Sequence, residues 1–142
     1  MFVYMNSVTG NHHIIGKYGT EATAPFAIYQ SASQIGFYSS SNGTSWNLIS
    51  NQTFGTGLST GVWYHLAVSR VGTNWYTFRD GVLIATGSVS GTVRLNAGDL
   101  TIASNNSGAE GFNGYIDEIR LSNGVGRYSA NFTVPTEAYP NY

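Results

Sequence analysis

The acidic side chains are the first candidates for chemistry, because paired carboxylates can hydrolyse glycosidic bonds. Retaining hydrolysis needs two carboxyl groups about 5 Å apart, which on one strand means acidic residues two or four positions apart. The seven acidic residues are Glu21, Asp80, Asp99, Glu110, Asp117, Glu118 and Glu137. No two of them have this spacing, and the adjacent pair at 117–118 would face opposite sides of a strand. The spacing therefore argues against a glycosidase.

The serine, cysteine and histidine residues give no better case for catalysis. The sequence has no Gly-x-Ser-x-Gly motif, which places a serine nucleophile on a sharp turn, and it has no cysteine. His12 and His13 are neighbours that a strand would orient to opposite faces. His65 lies in an apolar strand, where we expect it to pack or to make a strand-to-strand hydrogen bond. We therefore predict that the protein is not an enzyme.

Two polar segments that contain or adjoin candidate ligand residues suggest a sugar-binding site. Such sites combine an aromatic ring, which stacks on the apolar face of a pyranose, with polar groups for its hydroxyls. Tyr38 and Trp46 flank the polar segment 39–45. A second polar segment contains Asn105 and Asn106. We predict that these four residues bind the ligand; the alternative is that the two aromatic side chains pack in the core or on a sheet face.

Calcium is the metal for which the sequence offers oxygen ligands. Ca²⁺ takes six to eight oxygens, typically including two or more carboxylates. Asp99 and the segment 105–111, which includes Asn105, Ser107 and Glu110, could supply some of them. The sequence has no aspartate-rich cluster, so we expect no cofactor and keep calcium as the alternative.

Composition restricts both the fold and the partners. Charged residues make up 9% of the chain, hydrophobic residues 42% and aromatic residues 14%. Abundant Gly, Ser, Thr and Asn, with few helix-forming residues, predict an all-β domain of short strands and many turns. Six basic residues and a net charge of −1 leave no basic patch for nucleic acid. No apolar run reaches the roughly 18 residues of a membrane span, so we expect no membrane insertion.

Turn residues divide the chain at the spacing expected of a β-sandwich. We expect about eleven to fourteen strands in two antiparallel sheets, and a short turn or single helical turn over residues 124–132. The strands that the sequence predicts are 2–5, 13–18, 26–29, 34–38, 46–49, 62–70, 75–79, 82–86, 100–103 and 115–121.

Asp80-Gly81 gives the clearest local prediction, because it separates two alternating segments. A type I′ hairpin turn needs positive φ at both central residues, and Asp-Gly satisfies this requirement. Counting from the turn pairs Phe78 with Leu83 and Tyr76 with Ala85. We expect these four side chains to share one face, the core side.

Several motifs carry a family resemblance. They are Trp63-Tyr64-His65-Leu66-Ala67-Val68, the hairpin around Asp80-Gly81, and Phe112-Asn113-Gly114-Tyr115-Ile116-Asp117-Glu118-Ile119-Arg120-Leu121-Ser122-Asn123. Together they resemble the laminin G-like, concanavalin A-like lectin/glucanase families. The ending Arg127-Tyr128-Ser129-Ala130-Asn131-Phe132-Thr133-Val134-Pro135 is similar to the form of this module common in bacteriophage structural proteins. The resemblance implies a jelly-roll sandwich of two antiparallel sheets, with binding or structural roles more often than catalysis.

We therefore interpret residues 1–135 as an all-β jelly-roll domain and residues 136–142 as a C-terminal tail. We expect a non-enzymatic binding module of a phage-like particle, at the virion surface or extracellular, that presents its surface to a glycan or host receptor. The alternatives are a structural capsid or tail decoration domain that acts only through subunit contacts, and a bacterial surface adhesion module. Because few charges keep the surface soluble, we also expect contacts with other virion subunits in an oligomeric or particle-bound state.

The apolar segment 2–5 carries one more expectation. Members of the family that the sequence resembles usually have one or two strands before this segment. We therefore expect the backbone of residues 1–5 to lack a partner within the chain on one side, which would leave an exposed edge. Residues that precede it in a longer protein, which we favour, or a neighbouring subunit would supply the strand.

Overall fold

The computed structural model describes residues 1–19, 23–105, 107–108 and 110–139. Ten β-strands and no helix form within these residues, one strand fewer than the lower end of the expected range. None of the described residues belongs to a helix that could cross a membrane. The strands are β1 Phe2–Met5, β2 Asn11–Lys17, β3 Phe26–Ser31, β4 Gln34–Ser39, β5 Ile49–Thr53, β6 Trp63–Val71, β7 Asn74–Arg79, β8 Val82–Ser88, β9 Leu100–Ile102 and β10 Gly114–Asp117.

The strands form two five-stranded sheets that pack face to face. The first sheet has the order β10-β1-β6-β7-β8 and the second has the order β5-β4-β3-β2-β9. All pairings between these strands are antiparallel. The predicted all-β, antiparallel sandwich of the concanavalin A-like jelly-roll type is therefore confirmed.

The core lies between the inner faces of the two sheets. Trp75 of the first sheet contacts Phe37 of the second, with ring centroids 5.4 Å apart. Thr77 also points inward, and its hydroxyl donates a 2.6 Å hydrogen bond to the carbonyl oxygen of Thr53 in the opposite sheet. Because a strand alternates its faces, the residues next to Trp75 and Thr77 point to the outside of the sandwich.

The hairpin between β7 and β8 confirms the turn type but corrects the register. Asp80 has φ 52° and Gly81 has φ 77°, as a type I′ turn requires. Phe78 pairs with Leu83 as expected, but a β-bulge on β8 then shifts the register, so that Tyr76 pairs with Thr86 and not with Ala85. The extra residue of a bulge changes every pairing beyond it, and the turn sequence does not encode it.

The expected core side of this hairpin is wrong. Phe78 is fully buried, but it lies on the outer face of the first sheet, where it contacts Tyr128 at 6.0 Å and Phe132 at 5.3 Å between ring centroids. Trp75 and Thr77 face the core instead. Phe78 is buried because the chain after β10 returns over the sheet.

This returning chain, residues 124–134, is called the covering segment below. The N–H of Phe132 donates to the carbonyl oxygen of Gly81 at 2.9 Å, and the side-chain oxygen of Asn131 accepts from the N–H of Leu83 at 2.8 Å. The rings of Tyr128 and Phe132 stack with centroids 3.6 Å apart. The helical turn considered for residues 124–132 does not form, because these side chains pack on the sheet.

The expectation that β1 has a free side is wrong. Val3 pairs with Ile116 of β10 on one side and with Tyr64 of β6 on the other. All four residues of β1 pair with β10, which forms the edge of the sheet in its place. Residues 2–5 therefore lie inside the first sheet.

Candidate functional site

Five side-chain rings form a continuous row across the outer face of the second sheet. All five are partly exposed, and successive ring centroids are 5.0, 4.7, 6.4 and 5.3 Å apart. In order, the rings are those of Tyr18, His13, Tyr29, Tyr38 and Trp46. This set is called the aromatic row below.

Strand pairing and small neighbouring residues explain why the row forms. His13 is the direct partner of Tyr29 across β2 and β3, so both rings share one face. The Tyr18 ring lies over Gly16, where a side-chain carbon would approach a ring carbon to 2.5 Å. At Gly36, the partner of Tyr29, a side-chain carbon would collide with the Asn51 amide. The two glycines therefore leave the surface open for larger neighbours.

His13 connects the row to the loop between β9 and β10. Its Nε2 lies 2.9 Å from Glu110 Oε2, and its Nδ1 forms a short hydrogen bond with the Tyr18 hydroxyl. A neutral ring with its proton on Nε2 donates to the carboxylate and accepts from the tyrosine. Burial lowers the pKa of His13 although Glu110 opposes the shift, so the ring is neutral at pH 7.

The tyrosine hydroxyls of the row remain protonated. Burial raises the pKa of Tyr18, Tyr29 and Tyr38. The carboxylate of Glu110 adds to the shift at Tyr18 and at Tyr29. These hydroxyls are therefore neutral groups that can donate and accept hydrogen bonds.

The loop between β4 and β5 holds Trp46 against Tyr38. The side-chain oxygen of Asn42 accepts from the N–H groups of Thr44 at 2.9 Å and of Ser45 at 3.1 Å. Asn47 accepts from the N–H of Ser41 at 2.9 Å. Such local side-chain-to-backbone bonds compete with strand pairing, and β5 begins only at Ile49. The prediction of a strand over 46–49 is therefore wrong for its first three residues.

Two of the four predicted ligand residues lie together at one end of the row. Tyr38 and Trp46 contact each other, with ring centroids 5.3 Å apart. Asn105 lies in the loop that carries Glu110, and its side-chain oxygen accepts from the N–H and hydroxyl of Ser107 at 3.1 and 2.7 Å. Asn106 lies outside the described residues. The structure thus brings the two aromatic residues together and places Asn105 in the loop that carries Glu110.

Sequence reasoning missed the middle of the row. His13 pairs with Tyr29 across β2 and β3, but a register shift between His13 and Ile15 separates this pair from the connection between the two strands, so counting along the sequence does not predict the contact. Glu110 reaches His13 because its own carbonyl oxygen accepts the His13 N–H at 2.9 Å. Glu110 lies 97 positions after His13 in the sequence, and no local sequence pattern predicts that the two residues meet.

The other two histidines have structural contacts. His12 bonds to the carbonyl oxygens of Gly111 at 2.7 Å and Thr9 at 2.9 Å, so it uses partners different from those of His13. His65 is 2% exposed and packs between Phe2 and Phe132, with ring centroids 4.9 and 5.7 Å away. Burial lowers the pKa of His65 to about 4. His65 therefore packs as a neutral ring. Packing was one of the two roles that the sequence predicted for it.

Metal ligands do not converge in the described part of the chain. No group of three or more His, Cys, Asp or Glu side chains is positioned to hold a metal ion there. Of the residues considered for calcium, Glu110 is hydrogen-bonded to His13, and Asp99 accepts the Tyr18 N–H through its backbone carbonyl oxygen at 3.0 Å.

Comparison with known families agrees with the two-sheet architecture. A laminin G-type family model, described as the concanavalin A-like lectin/glucanases superfamily, matches residues 1–126. The chain belongs to the concanavalin A-like lectin/glucanase superfamily. No curated protein and no solved structure matches it significantly. The superfamily match includes all ten strands and the whole aromatic row, whereas most of the covering segment lies beyond it.

Proposed function

We propose that this concanavalin A-like domain is a non-enzymatic carbohydrate-binding module that attaches a particle or cell to a glycan. The observation that carries the proposal is the aromatic row, which runs between two polar loops on one outer face. The setting that we propose is the surface of a phage-like particle, because the segment 127–135 is similar to phage structural modules. A bacterial surface adhesion module is the alternative setting.

Ring geometry supports recognition of sugars. Tyr38 and Trp46 are tilted by 53° to each other, so the pair presents two differently oriented apolar surfaces. Pyranose rings have apolar faces of C–H groups, and aromatic rings in binding sites provide large contact area at low entropic cost. The partial exposure of both residues leaves ring surface for a ligand.

A sugar-binding site also needs polar groups that form hydrogen bonds with the hydroxyls of the sugar, and the row has such groups. Glu110 is exposed and offers carboxylate oxygens beside His13 and Tyr29. The amide of Asn51, next to Gly36 in the middle of the face, can both donate and accept. The tyrosine hydroxyls and the Asn51 amide are neutral and Glu110 is negatively charged, so these groups favour an uncharged glycan over an anionic one.

The number of carboxylates that contact the row supports binding without hydrolysis. Glu110 is the carboxylate that contacts the row within the described residues. Its hydrogen bond to His13 holds it in place, and the described contacts include no second carboxylate beside it. A retaining or inverting glycosidase needs two such groups.

A glycan array followed by calorimetry tests the proposal. We expect the protein to bind at least one glycan, and Trp46→Ala to weaken that binding at least about tenfold, as loss of a central aromatic contact does elsewhere. Trp63→Ala is the matched control, because Trp63 is exposed on the opposite sheet. Absence of binding to any glycan, or equal losses in both variants, would contradict the proposal.

A structural role through subunit contacts is the second candidate, and one observation favours it. Tyr115, Tyr4 and Trp63 are directly paired across β10, β1 and β6, with ring centroids 5.6 and 5.5 Å apart. Tyr115 is 60% exposed and Trp63 is 47% exposed. In that case Trp63→Ala, and not Trp46→Ala, would reduce self-association measured by analytical ultracentrifugation.

A further inference from the structure

A carboxylate meets three rings at one end of the aromatic row. The rings of Tyr18, His13 and Tyr29 follow one another with centroids 5.0 and 4.7 Å apart, and Nε2 of His13 lies 2.9 Å from Glu110 Oε2. Neighbouring rings are inclined by 77° and 65°, so their faces point in different directions. These four residues are called the acidic corner below.

Backbone contacts hold Glu110 in this place. The N–H of His13 donates to the carbonyl oxygen of Glu110 at 2.9 Å, and Nδ1 of His12 is hydrogen-bonded to the carbonyl oxygen of Gly111 at 2.7 Å. Glu110 has φ 53°, a left-handed conformation that glycine adopts more easily. The loop thus presents an acidic side chain, at a conformational cost, where glycine would suit the backbone better.

The charge of Glu110 has no charged partner among the described residues. Its side chain is 42% exposed, and the residue that its carboxylate bonds to, His13, has a lowered pKa and is neutral at pH 7. The carboxylate helps to raise the pKa of Tyr18 and of Tyr29, because a second negative charge beside it is unfavourable. The same field favours a positive charge beside these rings.

The cation–π contacts of the described residues lie away from the acidic corner. They are made by Arg70, Arg79 and Arg120, over rings that do not belong to the aromatic row. Lys17 donates to the carbonyl oxygen of Gly98 at 2.5 Å. The acidic corner therefore combines a carboxylate that lacks a cationic partner with electron-rich rings, and this combination attracts a cation from outside the chain.

An organic amine fits the acidic corner better than a metal ion does. Ca²⁺ typically needs two or more carboxylates among its oxygen ligands, whereas the described residues of the corner supply one, and no group of three metal-binding side chains forms among the described residues. A protonated amine needs only one carboxylate, and its other N–H groups can donate to neutral tyrosine hydroxyls. It can also lie against a ring face, which attracts cations.

The rest of the aromatic row indicates which molecule would carry the amine. Beyond Tyr29 the row continues with Tyr38 and Trp46, and the amide of Asn51 lies beside them at Gly36. These groups are uncharged and suit the apolar faces and hydroxyls of sugar rings. One end of the row thus favours a cation and the other an uncharged sugar, and a glycan that contains an amino sugar has both features.

We propose that the acidic corner binds the protonated amine of an amino sugar, so that the aromatic row selects glycans with unacetylated amino groups. This inference rests on the proposed carbohydrate-binding function. The ammonium group donates to Glu110 and to the hydroxyl of Tyr29, and the neighbouring sugar rings extend towards Tyr38 and Trp46. The selectivity is a preference for a cationic glycan over an uncharged glycan of the same shape.

Calorimetry with a matched pair of ligands tests the proposal on the unmodified protein. The probes are the tetrasaccharides of chitosan and of cellulose, which differ in one group on each ring, an amine in chitosan and a hydroxyl in cellulose. In a mildly acidic buffer, in which the amines are charged, the chitosan tetrasaccharide should bind at least about fivefold more tightly, because an exposed ion pair and a cation–π contact both contribute. A tetralysine peptide, which has amines but no sugar rings, should bind more weakly than the chitosan tetrasaccharide.

Glu110→Gln removes the charge and keeps the loop in place, because the amide oxygen can still accept from Nε2 of His13 and the backbone bond remains. This variant should bind the chitosan tetrasaccharide about fivefold more weakly and the cellulose tetrasaccharide almost as the unmodified protein does. Glu137→Gln is the matched control, because it removes the same charge from an exposed residue of the C-terminal tail. It should bind both tetrasaccharides as the unmodified protein does.

Three results would overturn the proposal. The first is equal affinity for the two tetrasaccharides, or no binding of the chitosan tetrasaccharide. The second is an equal loss in Glu110→Gln and Glu137→Gln, which would assign the effect to net charge, and the third is a tetralysine affinity that matches that of the chitosan tetrasaccharide. Binding of uncharged glycans on the array without any preference for the amine would overturn this inference alone, whereas failure to bind any glycan would overturn the proposed function with it.

Discussion

The outer faces of the two sheets are both rich in aromatic rings, but the chain treats them differently. On the first sheet, the covering segment places Tyr128 and Phe132 over Phe78 and His65, which are 0% and 2% exposed. On the second sheet, all five rings of the aromatic row remain partly exposed. Under the covering segment these residue types stabilise the fold, whereas on the second sheet, and at Trp63 and Tyr115 beside the covered part of the first sheet, they remain exposed.

Hydrogen bonding shows the same difference. Both ring nitrogens of His65 lack a partner within the described residues, whereas His13 bonds through both of its nitrogens. A buried ring without partners is tolerated when it stays neutral, and packing supplies its stabilisation. A ring in a polar network is held in one orientation. Aromatic content alone thus does not identify a binding face; exposure combined with polar contacts does.

The largest expected effect at a fixed pH concerns the covered face. Phe132→Ala removes the partly exposed ring that packs on Phe78, His65 and Tyr128, and should lower the free energy of unfolding by about 2 kcal/mol. Trp46→Ala on the open face should lower it by less than about 1 kcal/mol. Urea denaturation followed by circular dichroism measures both. Similar losses in the two variants would remove the distinction between the faces.

The next effect is the pH dependence that His65 contributes. Its pKa is about 4 in the folded protein and about 6.5 when unfolded, so the unfolded chain takes up the proton first as the pH falls. The stabilisation is complete above about pH 6.5 and is lost towards pH 4, with a total of up to about 3 kcal/mol.

His65→Phe isolates this contribution, because the other titrating groups are unchanged. Thermal unfolding measures this effect. Between pH 7 and pH 4, a range that spans the two pKa values, the melting temperature of the variant should fall less than that of the unmodified protein. Identical pH profiles for the variant and the unmodified protein would show that His65 is not buried as a neutral ring.

The smallest effect concerns the network of the open face. Tyr18→Phe removes the hydroxyl that donates to Nδ1 of His13. Because that bond stabilises the neutral ring, its loss should raise the pKa of His13 and lower the free energy of unfolding by about 1 kcal/mol. NMR titration of the ring protons measures the pKa. Tyr76→Phe, on the first sheet, is the control and should leave it unchanged.

The sequence predicted the parts of the fold that depend on local chemistry. The type I′ turn follows from Asp80-Gly81, and most strands follow from alternation between turn residues. The assignment of the hairpin face failed, because Phe78 is buried by residues about fifty positions later in the chain. Alternation shows that two residues share a face, but it does not show which face the rest of the chain covers.

The sequence also predicted only part of the candidate site, because some of its contacts are local and others join distant segments. Tyr38 and Trp46 are close in sequence, and the loop between them is held by its own side chains, so local reasoning located them together. His13, Tyr29 and Glu110 meet through strand pairing and a distant loop. Their contact depends on the register of the whole sheet, which the sequence of one segment does not determine.

The three tryptophan indoles allow the most direct test of the proposed glycan site. Trp46 lies in the aromatic row, Trp63 is exposed on the opposite sheet, and Trp75 is buried in the core. Their indole N–H signals can be assigned by single substitutions and followed by NMR while a glycan identified on the array is added. The Trp46 signal should shift with a saturable dependence on glycan concentration, while the signals of Trp63 and Trp75 should remain in place. A shift of Trp63 with Trp46 unchanged would contradict the proposed glycan site.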